Sequence, residues 1–179
     1  MYDLFVLGQL MDESMSGYLM QSILQQIVGR QRKISFGMIY PLFNRLKEAG
    51  YITISEVKSK NNRFIKVATI TNAGKERFYE LMAQKVPLNP NLDFTYSVKF
   101  RNFHQVDLSL RRQILHDYQT YLLKSQELLT QQSQDLKNTK ISKTDLKNAR
   151  WVIELEQMKM KAALDWVKES IRQLNEGEN

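Results

Sequence analysis

The sequence predicts a mainly α-helical protein with one small β-hairpin, ending in two long helices. Three observations predict it. Apolar residues recur at helical spacing through the first fifty positions, in blocks broken near residues 14–17 and 29–33. Residues 51–57 alternate, residues 64–70 are rich in β-branched side chains, and a polar Ser59-Lys60-Asn61-Asn62 turn lies between them. Beyond residue 107, leucines fall at strict seven-residue steps. The 179 residues suffice for one or two small domains, and 42% apolar with 25% charged residues is a globular composition. With no cysteine there is no disulfide framework, thiolate metal site or cysteine nucleophile, which fits a reducing cytoplasm. The start, MYDLFVLGQLMDE, lacks a basic n-region, so no signal peptide is expected. No apolar run approaches membrane-spanning length.

Leu4, Phe5, Leu7, Leu10 and Met11 make the first helix, over residues 2–11, apolar enough to be buried. Ser16 or Gly17 starts a second, GYLMQSILQQIV, with Leu19, Ile23, Ile27 and Val28 expected inside and Gly29 ending it. Residues 30–33 form a basic connector of turn length. The third helix occupies SFGMIYPLFNRLKEAG, residues 35–50. Ser35 is the expected N-cap, its hydroxyl accepting from an orphan N–H of the first turn. Ile39, Leu42, Phe43 and Leu46 form the buried stripe, and Gly50 is the stop. Pro41 removes a backbone donor, so a bend there is expected, or a regular helix starting near it. Ser35, Gly37, Met38, Tyr40, Asn44 and Arg45 fall off the stripe, with no acid before Glu48. Three short helices with a tight second connection match the helix-turn-helix plan, whose last helix enters the major groove.

The hairpin after such a helix is a wing, and Lys58, Lys60 and Arg63 make its tip basic. Thr71 or Asn72 caps a fourth helix through Lys85, with Phe78, Leu81 and Met82 as its apolar face. Charge is concentrated in this half. The chain has 26 basic and 19 acidic residues, a net +7. Residues 28–66 hold nine Lys or Arg against Glu48 and Glu56, so that segment alone equals the whole excess. Such a cluster attracts phosphates and releases counterions on binding.

The runs Gly17-Tyr18, Met38-Ile39-Tyr40-Pro41 with Arg45-Leu46, Gly50-Tyr51-Ile52, and Ile70-Thr71 with Gly74 resemble the PadR family of winged helix-turn-helix transcriptional regulators. A Tyr-Pro pair in the recognition helix is typical of that family. Its members commonly have proline where Phe36 stands, so the helix entry differs here. The resemblance covers residues 2–86 and implies that the tail is a C-terminal dimerisation domain. It also implies a repressor, released in some relatives by phenolic acids and in others by drug-like molecules, with some having no known effector.

Residues 87–93 read as a linker between a winged domain, 1–86, and a helical domain, 94–179. Phe94, Tyr96, Phe100 and Phe103 mark a short helix. A long helix from Asp107 then carries Leu108, Leu115, Leu122, Leu129 and Leu136 in register, beside Ile114, Tyr121 and Leu128. After a break at 138–142, capped by Ser142 or Thr144, Leu146, Ile153, Met160, Val167 and Leu174 repeat the step, with Leu164 and Ile171 between them. Trp151, Leu155, Met158, Ala162 and Trp166 form a second stripe beside that seam. Two adjacent stripes need more than one neighbour, which predicts a homodimer; an intramolecular hairpin alone is the competing reading.

His104 and His116 stand in no metal or triad spacing, no glycine-rich phosphate loop is present, and no catalytic residue, metal ligand or cofactor is expected. The residues expected to meet double-stranded DNA are Gly17, Tyr18, Lys33, Ser35, Gly37, Met38, Tyr40, Asn44, Arg45, Lys60, Asn61, Asn62 and Arg63. Asn44 is suited to adenine, and Arg45 to guanine or to a phosphate. Tyr96, Phe100, Trp151 and Trp166 either line a cavity for a small aromatic effector or are core, with Arg150 as the counter-charge for an acidic ligand. The competing function is a winged protein-interaction module that binds no DNA. The basic wing tip argues against it.

Overall fold

In the computed structural model the first apolar block folds as α1, Tyr2–Asp12. Leu4, Phe5, Val6, Leu7 and Leu10 are all buried, so neighbours cover it nearly all round. The described residues are 1–28, 35–58, 62, 64–138 and 142–176. They divide into two units, Met1–Asp107 and Leu108–Asn179.

The first unit continues with β1 (Met15–Ser16), α2 (Gly17–Val28), α3 (Phe36–Glu48), β2 (Ile52–Lys58), β3 (Phe64–Ile70), α4 (Asn72–Ala83) and α5 (Leu92–Arg101). A 3-10 turn, Phe103–Gln105, follows. The antiparallel sheet has the order β1-β3-β2. Strand β1 was not expected: residues 14–17 read as a plain break, and two residues carry no periodicity. Met15 opposite Ala68 and Ser16 opposite Val67 are its only register pairs.

Ile39, Leu42, Phe43 and Leu46 are all buried, so the α3 stripe is as expected. α3 runs from Phe36 through Pro41 to Glu48, so its regular part does not wait for the proline. Pro41 lies near the N-terminal end and forfeits one bond, to the Gly37 carbonyl four residues back. Ser35 is at the N-cap, but its side chain makes no capping bond; only its carbonyl accepts, from Met38 N–H at 3.1 Å. The phase of α2 also differs. Gly17, Met20 and Leu24 are buried, Leu19 is exposed, and Ile23, Ile27 and Val28 are half-buried. With apolar residues at 19, 20, 23, 24, 27 and 28, two phases are open to the periodicity. Packing of α2 against α3 goes with the observed one.

One junction ties the helix-turn-helix to the wing. Gly50 has φ +75°, the left-handed C-terminal stop, and Tyr51 N–H returns to Leu46 O at 2.9 Å. Thr71 N–H donates to Tyr51 O at 3.0 Å, and the Thr71 hydroxyl donates to Gly50 O at 2.7 Å. That hydroxyl also accepts from Gly74 N–H at 3.1 Å, capping α4. A Cβ on Gly74 would lie 2.0 Å from Tyr51 O, so only glycine fits there.

Lys99 is buried, and its ammonium donates to Met82 O at 2.8 Å and Gln84 O at 2.5 Å, at the C-terminal end of α4. A cation at a helix C-terminus satisfies carbonyls that the helix leaves open. Tyr2 also meets Phe94, with ring centroids 5.9 Å apart. These contacts fasten α5 to α1 and α4. The first unit therefore extends through α5 to Asp107.

In the second unit, α6 (Leu108–Asp135) and α7 (Lys143–Glu176) form a hairpin. Ser142 Oγ accepts from Asp145 N–H at 3.1 Å and caps α7. Arg112 Nε donates to Asn175 Oδ1 at 3.0 Å, joining the start of α6 to the end of α7. Leu122, Leu164 and Val167 form the centre of the seam, with Tyr118, Tyr121, Met160, Ala163 and Ile171 around them. Leu115 and Ile153 are also buried. The second stripe is not covered within this unit: Trp151, Leu155, Met158 and Trp166 are about half exposed or more.

Candidate nucleic-acid interface

The buried stripe of α3 turns the opposite face outward. Ser35, Gly37, Tyr40, Asn44, Arg45 and Lys47 are exposed along it, and Met38 is half-buried. This agrees with the phase read from the sequence. Lys47, one turn beyond Asn44, shares that face by the same 3.6-residue spacing.

The start of α2 meets this surface. Ser16 Oγ accepts from Leu19 N–H at 3.3 Å, and Tyr18 is exposed. Gly17 is buried, and a Cβ there would touch Tyr40 at 3.4 Å and Ile39 at 3.5 Å. Those are ordinary van der Waals distances, so Gly17 packs against Tyr40 and Ile39.

Arg45 carries its own partner. Its guanidinium donates to the Asp3 carboxylate, reaching from α3 to α1. A pair this exposed is worth at most about 1 kcal/mol, so a phosphate or a guanine could compete for the arginine.

On the wing, Asn62 has φ 58°, the left-handed conformation its residue type tolerates. Lys33, Lys60, Asn61 and Arg63 lie outside the described residues. A cleft of about 420 Å³ separates α3 from the sheet. Tyr40, Asn44 and Lys47 line one wall, and Ile54, Glu56 and Lys66 the other.

The aromatic set named for an effector is divided between the two units. In the first, Tyr96 is buried and stacks on Phe100 at 5.9 Å, and Phe100 meets Phe103 edge-on at 5.4 Å. These rings therefore pack on one another in sequence along the first unit. In the second, Arg150, Trp151 and Trp166 are exposed on α7, and the Lys147 ammonium sits 5.0 Å from the Trp151 ring centre. Fifteen residues of helix separate the tryptophans, about 22 Å, too far for both to line one small cavity on a single helix. His104 Nε2 lies 3.0 Å from Asp12 Oδ1, a contact within the first unit. Among the described residues no group of three or more His, Cys, Asp or Glu is placed to hold a metal, and no helix is long and apolar enough to cross a membrane.

Residues 6–80 match the model of the transcriptional regulator PadR-like family. No curated protein sequence matches. Among solved structures, the chain is similar to Bacillus subtilis PadR in complex with operator DNA, at 16% identity and TM-score 0.46, covering 97% of this chain and 98% of that one. It is similar to the same Bacillus subtilis protein in complex with p-coumaric acid, at 16% identity and TM-score 0.42, covering 97% and 94%. It is also similar to the PadR-like regulator BC1756 from Bacillus cereus, at 22% identity and TM-score 0.40, covering 98% of each.

Proposed function

We propose that this chain, whose residues 6–80 match the PadR-like family of transcriptional regulators, is a homodimeric repressor that grips a palindromic operator with two copies of α3. The observation that carries this reading is the outward face of α3. It is polar and aromatic, free of acid until Glu48, and stands beside a hairpin of the same basic segment. Tyr40, Asn44 and Met38 would face base edges in the major groove, with Ser35 and Gly37 at the entry of the helix. Asn44 has the two-headed amide that fits adenine. Arg45 would leave Asp3 for guanine or for a phosphate. The N–H groups at the start of α2, around Gly17 and Tyr18, would meet a phosphate. Lys33 and the wing-tip residues Lys60, Asn61, Asn62 and Arg63 would hold the flanking backbone or enter the minor groove.

The dimer would form through the exposed stripe of α7, because an apolar surface of that extent is uncommon on a monomer. The proposed setting is the cytoplasm. A small aromatic effector, if one acts, would alter the spacing of the two reading heads, which requires a different affinity for the two arrangements. p-Coumaric acid, the compound held by the Bacillus subtilis relative, is the first to try.

Fluorescence anisotropy with a labelled random-sequence duplex tests the reading. Log affinity against log salt should fall with a slope of about −0.9 for each phosphate neutralised, and six contacts would give about −5. A flat response would favour the protein-interaction module instead.

A further inference from the structure

We infer that Phe64 is an apolar wedge for the minor groove, carried there by a DNA strand seated in the cleft between α3 and the wing; the inference rests on the DNA-binding reading above.

Phe64 opens β3 and is 69% exposed, among the most exposed large apolar residues of the first unit. The register pairs it with Lys58, and the next pairs are Val57 with Ile65 and Glu56 with Lys66. Cross-strand partners share a face, and so do residues two apart on one strand. Phe64 and Lys58 therefore continue the face that carries Lys66, Glu56 and Ile54, the sheet wall of the cleft. Its side chain stands one strand step, about 7 Å, beyond Lys66. Val57 and Ile65 share the opposite face, 46% and 39% exposed. The far end of the hairpin is thus apolar on both faces while its neighbours are cationic. A ribbon that enters a groove touches both walls, and the walls of the minor groove are deoxyribose.

The cleft supplies the alignment. A helix in the major groove and a hairpin in the next minor groove straddle the phosphate strand between them. Lys47 on the helix and Lys66 on the sheet both line that gap, with Tyr40 and Asn44 as further polar groups on the helix wall. Glu56 is the one acid in the lining, against two lysines. The minor groove of B-DNA is only about 6 Å wide, so a ribbon with apolar flanks must open it. Side chains such as Phe do this by parting a base step, which kinks the duplex by about 20–90°.

The test uses the full chain and a duplex that the wild-type protein selects from a random pool. 2-Aminopurine is placed in turn at each step of the flanks, and fluorescence rises where a base unstacks. Wild type should brighten one step in each half-site. F64A should bind about tenfold more weakly, with no brightening and an unchanged salt slope. F64L should keep the brightening, since leucine also serves as a wedge. K47A/K66A should lower the salt slope by about 2. If wild type binds but brightens no step, or if F64A binds within twofold of wild type with the brightening intact, the wedge is overturned while DNA binding stands. If wild type selects no duplex, the DNA-binding reading fails and the wedge with it.

Discussion

Arg45, proposed above to meet DNA, already has a partner within the protein. Its guanidinium rests on Asp3, so DNA must displace a carboxylate to use it. Asp3→Asn removes that competitor with little change of shape. Duplex affinity should rise by up to about fivefold, the equivalent of the roughly 1 kcal/mol that such an exposed pair is worth. The gain should vanish when Arg45→Ala is also present, which anisotropy titration of the single and double variants measures. An equal gain in both backgrounds would mean that Asp3 acts by general repulsion and not through Arg45. Gly74 is constrained in a different way, because a methyl group there meets the Tyr51 carbonyl at the joint of α3, β3 and α4. Gly74→Ala should cost about 1–3 kcal/mol or more in urea unfolding, since a backbone carbonyl cannot rotate away. Unchanged stability would show that the joint has slack.

Elements were legible wherever burial and periodicity agreed. The α3 stripe gave the only phase available to four large apolar residues, so the outward face followed from it. The wing was legible from alternation before the asparagine turn and from β-branched residues after it. Periodicity failed for α2, where apolar residues occupy more than one face and packing against α3 goes with the observed phase. It could not reveal β1, whose two residues pair only because β3 runs past them. The Lys99 cap was also invisible, because it joins residues 15 and 17 positions apart through main-chain carbonyls. The same limit hid the Arg45–Asp3 pair, 42 positions apart. On the outer surface of α7, Glu169 is held down to about 2 by hydrogen bonds from Arg172 and then Gln173. Its folded value lies below that of a free glutamate, about 4.3. Its contribution is therefore complete above that pH and is lost as pH falls toward 2. An NMR titration should give a Glu169 midpoint near 2 that returns toward about 4.3 in Arg172→Ala. A wild-type midpoint already near 4.3 would show that the contact does not persist in solution.

At the scale of the whole molecule, each unit has its own core and leaves exposed the surface for which a partner is proposed. The first leaves the α3 face and the wing; the second leaves the tryptophan-flanked stripe of α7. Leu155 and Met158 are 52% and 72% exposed at the middle of that stripe. Replacing both with glutamate should keep the helical circular dichroism, because neither belongs to the α6–α7 seam. Sedimentation should then change from twice the 21.1 kDa of one chain to a single chain at micromolar concentration. A double variant that still sediments as a dimer would mean that the copies meet elsewhere.

Selection from a random duplex pool joins both surfaces in one result. Two copies of α3 related by a two-fold axis should enrich an inverted repeat whose half-sites lie about one helical turn, 10–10.5 base pairs, or a multiple of it apart. Substituting Asn44→Ala should relax the sequence at one symmetric pair of positions. Enrichment of a single unrepeated site, or of no site at all, would contradict a dimer that reads DNA with α3.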